Sequence, residues 1–392
     1  MHVYTSTLIL LALLVILPDL YLYQRFMHNR TRRSTSVLHG VIALYFVITS
    51  LASMLNINHI YSPQTSFRMI MFVTVMGCIY LPKLVFCSFD LIFFLTGKRR
   101  RGIQYAGYAA ALVTLGILIH GITSTRFHFE KGVYNVEVRH LPNSFEHFRI
   151  VQFSDTHLGG FSYSQERLKP LMDSINAQQP DLIVFTGDLV NNFATEANQW
   201  EEVFRRLDPT TPKLAILGNH DYSYYFNWDS QDESDLNSIA IRQRLRDFGF
   251  DLLMDDQRII RRGNDSIVII GTHNWGKKEA TNHCNIQKAL NGIEKYSTQI
   301  LLTHDPTFWE DSIVGKTNID LTLSGHTHAA QMGIEIGKLK LSPAALMFDC
   351  WDGQYEQDGQ TIIVSRGIGC VGIPIRIGMN PQYSLIELTA KK

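Results

Sequence analysis

Four apolar stretches in the first third of the chain, about 5–23, 36–55, 69–97 and 103–123, are each long enough to cross a bilayer, whose hydrocarbon core takes roughly 20 helical residues. Residues 1–125 are therefore predicted to form a transmembrane domain of about four helices. The first stretch has no Lys or Arg before it and has Arg25, Arg30, Arg32 and Arg33 after it. That is the reverse of a cleaved signal peptide, so it is expected to remain as an anchor. The third stretch contains Pro82, Lys83 and Asp90 and reads as one kinked or tilted helix, because either half alone is too short to span. Lys83 and Asp90 are seven residues apart on one helical face. Two readings stand for them: an intramembrane functional path, or charges satisfied by their neighbours.

Arginine placement orients these spans. The 25–34 loop carries four Arg and the 98–101 loop reads KRRR, whereas the 56–68 loop carries only Arg68. Loops rich in Lys and Arg stay in the cytoplasm. A multi-pass protein of the plasma (inner) membrane follows, with everything after residue 123 on the extracytoplasmic side. One span more or fewer would invert this.

Charge also divides the chain. Residues 1–125 hold ten of its 36 Lys and Arg but two of its 36 Asp and Glu, leaving 26 basic and 34 acidic residues in the remainder. An acidic second part makes a poor surface for a phosphate backbone, so no nucleic-acid partner is expected and a nuclease is disfavoured. The five cysteines form no CxxC pair and read as ordinary core residues.

From residue 149 the pattern changes to α/β. Strand-like RIVQFSD, DLIVFTGD and KLAILGNHD alternate with helix-like RLKPLMDSINAQQ and TEANQWEEVFRRL, and SIVIIGT, QILLTHD and DLTLSGH continue the rhythm. The stretch 225–237 reads as a surface loop leading into the helix SIAIRQRLRDF. Metal-capable residues fall at strand ends: Asp155 and His157, then Asp188, then Asn219, His220 and Asp221, then His304, then His326 and His328. The C-terminal edge of such a sheet is where distant segments converge on one crevice. Carboxylate, imidazole and amide donors together suit Mn, Fe or Zn better than Mg or Ca, and the set is too large for one ion. Two such ions clamp the attacking and leaving oxygens of a phosphoryl displacement without a covalent nucleophile.

DTH at 155–157, GD at 187–188, GNHD at 218–221, TH at 303–304 and GHTH at 325–328 resemble, in order and spacing, the five blocks of the calcineurin-like metallophosphoesterases. The resemblance implies an α/β sandwich of sheets flanked by helices over 126–392 and hydrolysis of a phosphomonoester, phosphodiester or pyrophosphate. It implies that Asp155, His157 and His328 hold one ion and Asn219, His304 and His326 the other, with Asp188 bridging. His220 would meet the phosphoryl oxygen or protonate the leaving group, oriented by Asp221.

SRGIGCVGIPIRIG at 365–378 is similar to a membrane-associated branch that includes transmembrane metallophosphoesterase-domain proteins and UDP-diacylglucosamine pyrophosphohydrolases. That branch adds the expectation of a lipid-linked substrate such as UDP-2,3-diacylglucosamine, which conflicts with the predicted orientation because UDP-linked lipids are made in the cytoplasm. The glycines of this stretch either shape turns or contact substrate, and His273 either lines the pocket or is a plain loop residue. The competing function is a non-catalytic membrane sensor or scaffold with a structural metal site, for which an intact His220 and Asp221 have no use.

Overall fold

The computed structural model describes residues 12–391 apart from 29, 56–62, 98–100, 162–164, 277–281, 295 and 338. Two compact units divide the chain, Met1–Ile122 and Thr123–Lys392.

In the first unit, Arg33–Leu55, Pro63–Leu95 and Arg101–Thr123 are continuous helices. Among the described residues these three are the helices long and apolar enough to cross a membrane. The expected first span lies partly outside the described residues, and its described part is helical through Ala12–Met27, with wide π turns on either side of Leu17–Leu22. Most of the KRRR loop also lies outside them. Pro82 is carried inside one unbroken helix.

The charges in these helices are satisfied by neighbours, the plainer of the two readings. Asp19 accepts from Lys83 Nζ (2.7 Å) and Tyr80 OH (2.7 Å). Asp90 accepts from Arg25 Nε (3.0 Å), Tyr21 OH (2.7 Å) and Gln104 Nε2 (2.6 Å). Where lipid offers no water, a carboxylate persists only with such partners.

The second unit contains strands β1 (Glu130–Val138), β2 (Arg149–Phe153), β3 (Leu182–Phe185), β4 (Lys213–Ala215), β5 (Asp251–Leu252), β6 (Asp256–Arg262) and β7 (Asp265–Gly271). It continues with β8 (Gln299–Leu302), β9 (Leu321–Ser324), β10 (Ile334–Ile336), β11 (Leu339–Leu341), β12 (Gly353–Gln357), β13 (Gln360–Val364) and β14 (Gln382–Ala390). They form two six-stranded sheets, ordered β1-β14-β2-β3-β4-β5 and β12-β13-β9-β8-β7-β6, plus the β10–β11 hairpin. Within the sheets β2, β3 and β4 are mutually parallel, as are β7, β8, β9 and β13.

Period-two alternation explains the layers. Ile150, Leu182, Val184 and Leu214 of one sheet meet Ile267, Ile269, Ile300, Leu302, Leu321 and Leu323 of the other in a dry interior. The intervening Val151, Phe153, Ile183 and Phe185 face outward, against helices Lys169–Asn176 and Gln231–Asp247. On the far side Val268, Ile270, Leu301 and Ile362 pack on Ala289, Phe308 and Trp309. Burying each such side chain contributes roughly 1.5–3 kcal/mol. Polar side chains also enter between the sheets at this level: Gln152 Nε2 donates to Thr186 Oγ1 (3.1 Å) and across to Ser324 O (2.8 Å). It ties the two sheets together directly beneath the strand ends.

Two local expectations change. The helix after the 225–237 loop starts earlier, at Gln231, because Ser230 caps it and accepts from Glu233 N (3.3 Å). Ser230 and Glu233 have the spacing of a capping box. TEANQWEEVFRRL does not form one helix; Gln199 takes a left-handed conformation (φ 67°) and splits it into turns at Ala194–Ala197 and Glu201–Phe204.

Candidate metal centre

The metal-capable residues follow buried strands, and five of them turn sharply out. Asp155 (φ 54°), His157 (42°), Asp188 (60°), His326 (76°) and His328 (51°) all adopt left-handed backbone. Non-glycine residues rarely do so, and such strain persists at sites where the surroundings enforce it. Here the backbone enforces it: Asp155 N–H donates to Gly187 O (2.8 Å), and His157 N–H to Asp188 O (3.2 Å). The glycines beside them permit the approach. A Cβ on Gly218 would lie 2.2 Å from Asp188 Oδ1, and one on Gly325 would lie 2.4 Å from Asp155 Oδ2.

Asp155, His157, Asp188 and His328, all buried, bring one ligand atom each to within 4.8 Å of one another. His157 Nε2 and His328 Nε2 face each other at 3.1 Å. His304 joins them through Nε2, 3.2 Å from Asp188 Oδ2 and 3.9 Å from Asp155 Oδ1. His326 and Asn219 form a pair, Nδ1 to Oδ1, at 2.9 Å. The rings of His304 and His326 are 5.1 Å apart, and His326 N–H donates to Asp155 Oδ1 (3.1 Å).

The donor set fits divalent ions. His304 Nδ1–H is committed to Thr186 O (2.7 Å), which turns Nε2 into the buried centre; burial alone would lower this imidazole, but the Asp188 and Asp155 carboxylates beside Nε2 raise it to about 10. Burial alone would raise the Asp155 carboxyl, but the His328 and His304 rings hold it at about 2. Burial pushes His157 well below the usual imidazole range, so its ring is neutral and its nitrogens are available as ligands.

His220 is fixed differently from the expectation. Its Nδ1–H donates to Asn191 O (2.6 Å), its backbone N–H to Asp188 Oδ1 (2.9 Å), and its ring stacks on Tyr225 with centroids 4.3 Å apart. Asp221 does not reach the imidazole. Its carboxylate accepts from the backbone N–H groups of Gly218 (3.0 Å), Asp188 (2.9 Å) and Leu189 (2.9 Å), and so holds the loop that carries Asp188. His273 bonds Tyr222 OH through Nδ1 (2.7 Å) and lines a cavity of about 660 Å³ with Tyr224, Trp228, Arg242 and His283, to which none of the seven ligand candidates contributes.

Several supporting residues carry no sequence signal of their own. Tyr225 accepts from Asn219 Nδ2 (2.7 Å), and Asp305 Oδ2 lies 3.9 Å from His326 Nε2. Of the four glycines of 365–378, Gly367, Gly369 and Gly378 serve close packing, whereas Gly372 faces open space. A Cβ on Gly369 would meet Thr156 O at 2.1 Å, and one on Gly367 would meet Asp155 Cβ at 2.7 Å. Ile368 N–H and Gly369 N–H donate to Ser154 O (2.9 Å) and Asp155 O (2.7 Å). Behind them the fully buried Arg376 donates to the carbonyls of Arg366, Gly367, Gly369 and Met379.

A sequence model described as "Calcineurin-like phosphoesterase" matches residues 148–330. A second, described as "Probable Calcineurin-like phosphoesterase, transmembrane domain", matches residues 5–126. An uncharacterized metallophosphoesterase of Aquifex aeolicus (strain VF5) is 30% identical over 264 residues, 66% of this chain and 91% of that protein. The uncharacterized metallophosphoesterase YkuE of Bacillus subtilis (strain 168) is 28% identical over 253 residues, 63% of this chain and 81% of the relative. A transmembrane protein with metallophosphoesterase domain from Danio rerio is 26% identical over 287 residues, 71% of this chain, which spans 62% of that relative's length. The chain belongs to the calcineurin-like phosphoesterase family, as a membrane protein that joins a transmembrane phosphoesterase domain to a hydrolase domain of the kind that uses divalent metals.

Proposed function

We propose that the chain is a two-metal phosphohydrolase in which residues 126–392 form the catalytic domain and 1–125 its membrane anchor. Asp155, His157 and His328 hold one ion, Asn219, His304 and His326 the other, and Asp188 bridges them. The observation that carries this assignment is the position of Asp188 Oδ2, 3.5 Å from His157 Nε2 and 3.2 Å from His304 Nε2, between the two groups. Two divalent ions of the Mn, Fe or Zn type supply neutralising charge to a phosphoryl group and acidify the attacking water. His220 contributes the mobile proton. With Nδ1–H committed to Asn191 O, its Nε2 meets a phosphoryl oxygen or, when the ring is protonated, delivers a proton to the leaving oxygen. Asp221 acts on the loop and not on the ring.

We further propose a phosphate or pyrophosphate ester of a lipid as substrate, because membrane helices tether the catalytic domain to a bilayer. The Arg-rich loops favour the plasma (inner) membrane with the catalytic domain outside the cytoplasm. UDP-2,3-diacylglucosamine fits only the opposite orientation, so reporter fusions after residue 125 separate the two. Activity is tested on the purified full chain with bis-p-nitrophenyl phosphate and a panel of lipid phosphates and pyrophosphates, with and without added Mn, beside His220→Ala and Asp188→Asn. Metal-dependent turnover lost in both variants supports the reading. A folded, metal-loaded chain inert toward every ester would leave the sensor or scaffold.

A further inference from the structure

The β10–β11 hairpin has two chemically opposed faces. Its register pairs Ile334 with Leu341, Glu335 with Lys340, and Ile336 with Leu339. Directly opposed residues share a face and successive residues alternate, so Ile334, Ile336, Leu339 and Leu341 lie together on one side and Glu335 and Lys340 on the other. The polar side is bound down to the domain. Lys340 Nζ donates to Asp352 Oδ2 (2.7 Å), Arg366 Nη2 to Glu335 Oε2 (2.7 Å), and Arg366 Nε to Asp352 Oδ1 (2.7 Å), with Arg366 and Asp352 themselves buried. Both ends are anchored too, by Gly333 N–H to Ile377 O (2.8 Å) and Ser342 Oγ to Ala329 O (2.7 Å).

Fixing the polar side inward forces the aliphatic side outward. Its four side chains are each more than half exposed, and the next turn adds Leu346 at 90% and Met347 at 73%. A soluble surface does not ordinarily expose six large aliphatics together. This patch adjoins the metal centre: Ala329, which accepts the Ser342 bond, follows His328 directly, and the Phe348 ring, one residue past Met347, lies 5.7 Å from that of His326.

We propose that this face docks into the lipid bilayer, seating the mouth of the metal centre at the membrane surface. Two observations select a bilayer over a protein. Five of the six side chains are Ile or Leu, and only Met347 is of a type that, with Tyr, Trp, Phe and Arg, is enriched at protein interfaces; buried apolar area is what sets how strongly an interfacial segment binds a membrane. The chain's spanning helices also keep a bilayer permanently within reach of the domain. The inference does not depend on a lipid being the substrate.

The test uses the full chain in phosphatidylcholine nanodiscs with either ordinary or dibrominated acyl chains. The five native tryptophans all lie at or beyond position 200, and their emission, recorded from the unsubstituted chain in each lipid, is subtracted so that only the added tryptophan is read. Ile336→Trp and, as a second placement on a side chain with almost no contacts, Leu346→Trp are compared with Leu236→Trp on the helix Gln231–Asp247. Docking is supported if emission from positions 336 and 346 is blue-shifted and at least halved by brominated lipid while that from 236 is not. Solvent-like emission at both hairpin positions overturns it. Blue-shifted emission without bromine quenching also overturns it and assigns the face to protein, such as a second copy of the chain. Equal quenching at 236 overturns it as well.

Discussion

His157 and His328 face each other nitrogen to nitrogen, their Nε2 atoms 3.1 Å apart and both rings buried. Their Nδ1 atoms have no hydrogen-bond partner, so neither ring is held in a particular tautomer by the protein. Facing each other, the two Nε2 atoms share at most one proton, which is a poor return for burying four ring nitrogens. A cation between the rings satisfies both facing nitrogens at once.

Chelation is therefore expected to destabilise the catalytic domain, not only to silence it. Ions that bind the folded state alone stabilise it by about 2.7 kcal/mol when present at 100-fold over their Kd. Thermal unfolding of the full chain should shift downward on adding a chelator and recover with Mn. His328→Ala should lower bound metal, counted by elemental analysis, and should blunt the chelator's effect. A chelator-insensitive melting curve would remove the metal from the stability of this fold.

Glu196 stands one step behind His220. Its carboxylate accepts from the backbone N–H groups of Asn191 (2.7 Å), Asn192 (3.0 Å) and Phe193 (3.0 Å), and Asn191 O in turn receives His220 Nδ1–H (2.6 Å). Glu196→Gln keeps the size but halves the acceptors. We expect kcat to fall by about 10–100-fold, the range for such supporting residues, with metal content unchanged. Burial also raises the Glu196 carboxyl above its ordinary 4.5. The fold thus binds this proton more tightly than the unfolded chain. The resulting stability is fully present below pH 4.5 and is lost as pH rises through the folded value. Unfolding of the wild type should show that decline, and Glu196→Gln should not.

What the chain's pattern reveals and conceals follows from how local each signal is. The seven ligand candidates are legible because each ends an apolar strand, where a polar residue has no reason to be unless the edge is used. Asn191 is illegible because it acts through its carbonyl, and any residue supplies one. Arg376 is illegible because nothing local foretells an arginine satisfied by four carbonyl groups and no carboxylate. β1 pairs in parallel with β14, some 250 residues later, and its half-polar alternation is ambiguous until that partner is known. The β10–β11 hairpin departs from the usual rule: its alternation is regular, but its apolar face points outward.

Arg376 yields a prediction of its own. Removing its donors strands buried carbonyl oxygens, each costing about 1–3 kcal/mol, on the segment whose N–H groups hold Ser154 and Asp155. Arg376→Met should cost about 3 kcal/mol or more and weaken Mn binding. Arg376→Lys should recover little of either, since an ammonium lacks the planar fork that reaches several acceptors. Thermal unfolding with Mn titration reads both effects; a variant that loses stability yet binds Mn normally would confine Arg376 to packing.

The Arg25–Asp90 pair tests whether the membrane helices depend on matched charge. Asp90 is wholly buried and also accepts from Tyr21 and Gln104. Arg25→Gln leaves that carboxylate with two neutral donors, and Asp90→Asn leaves a guanidinium without its counter-charge. Breaking a buried pair from one side costs about 3–5 kcal/mol, whereas replacing both partners is often nearly neutral. The double variant Arg25→Gln, Asp90→Asn should therefore be more stable than either single one in a detergent-unfolding cycle. Additive losses would mean that Arg25 and Asp90 are solvated independently, and that Tyr21 and Gln104 alone account for the carboxylate's place among the helices.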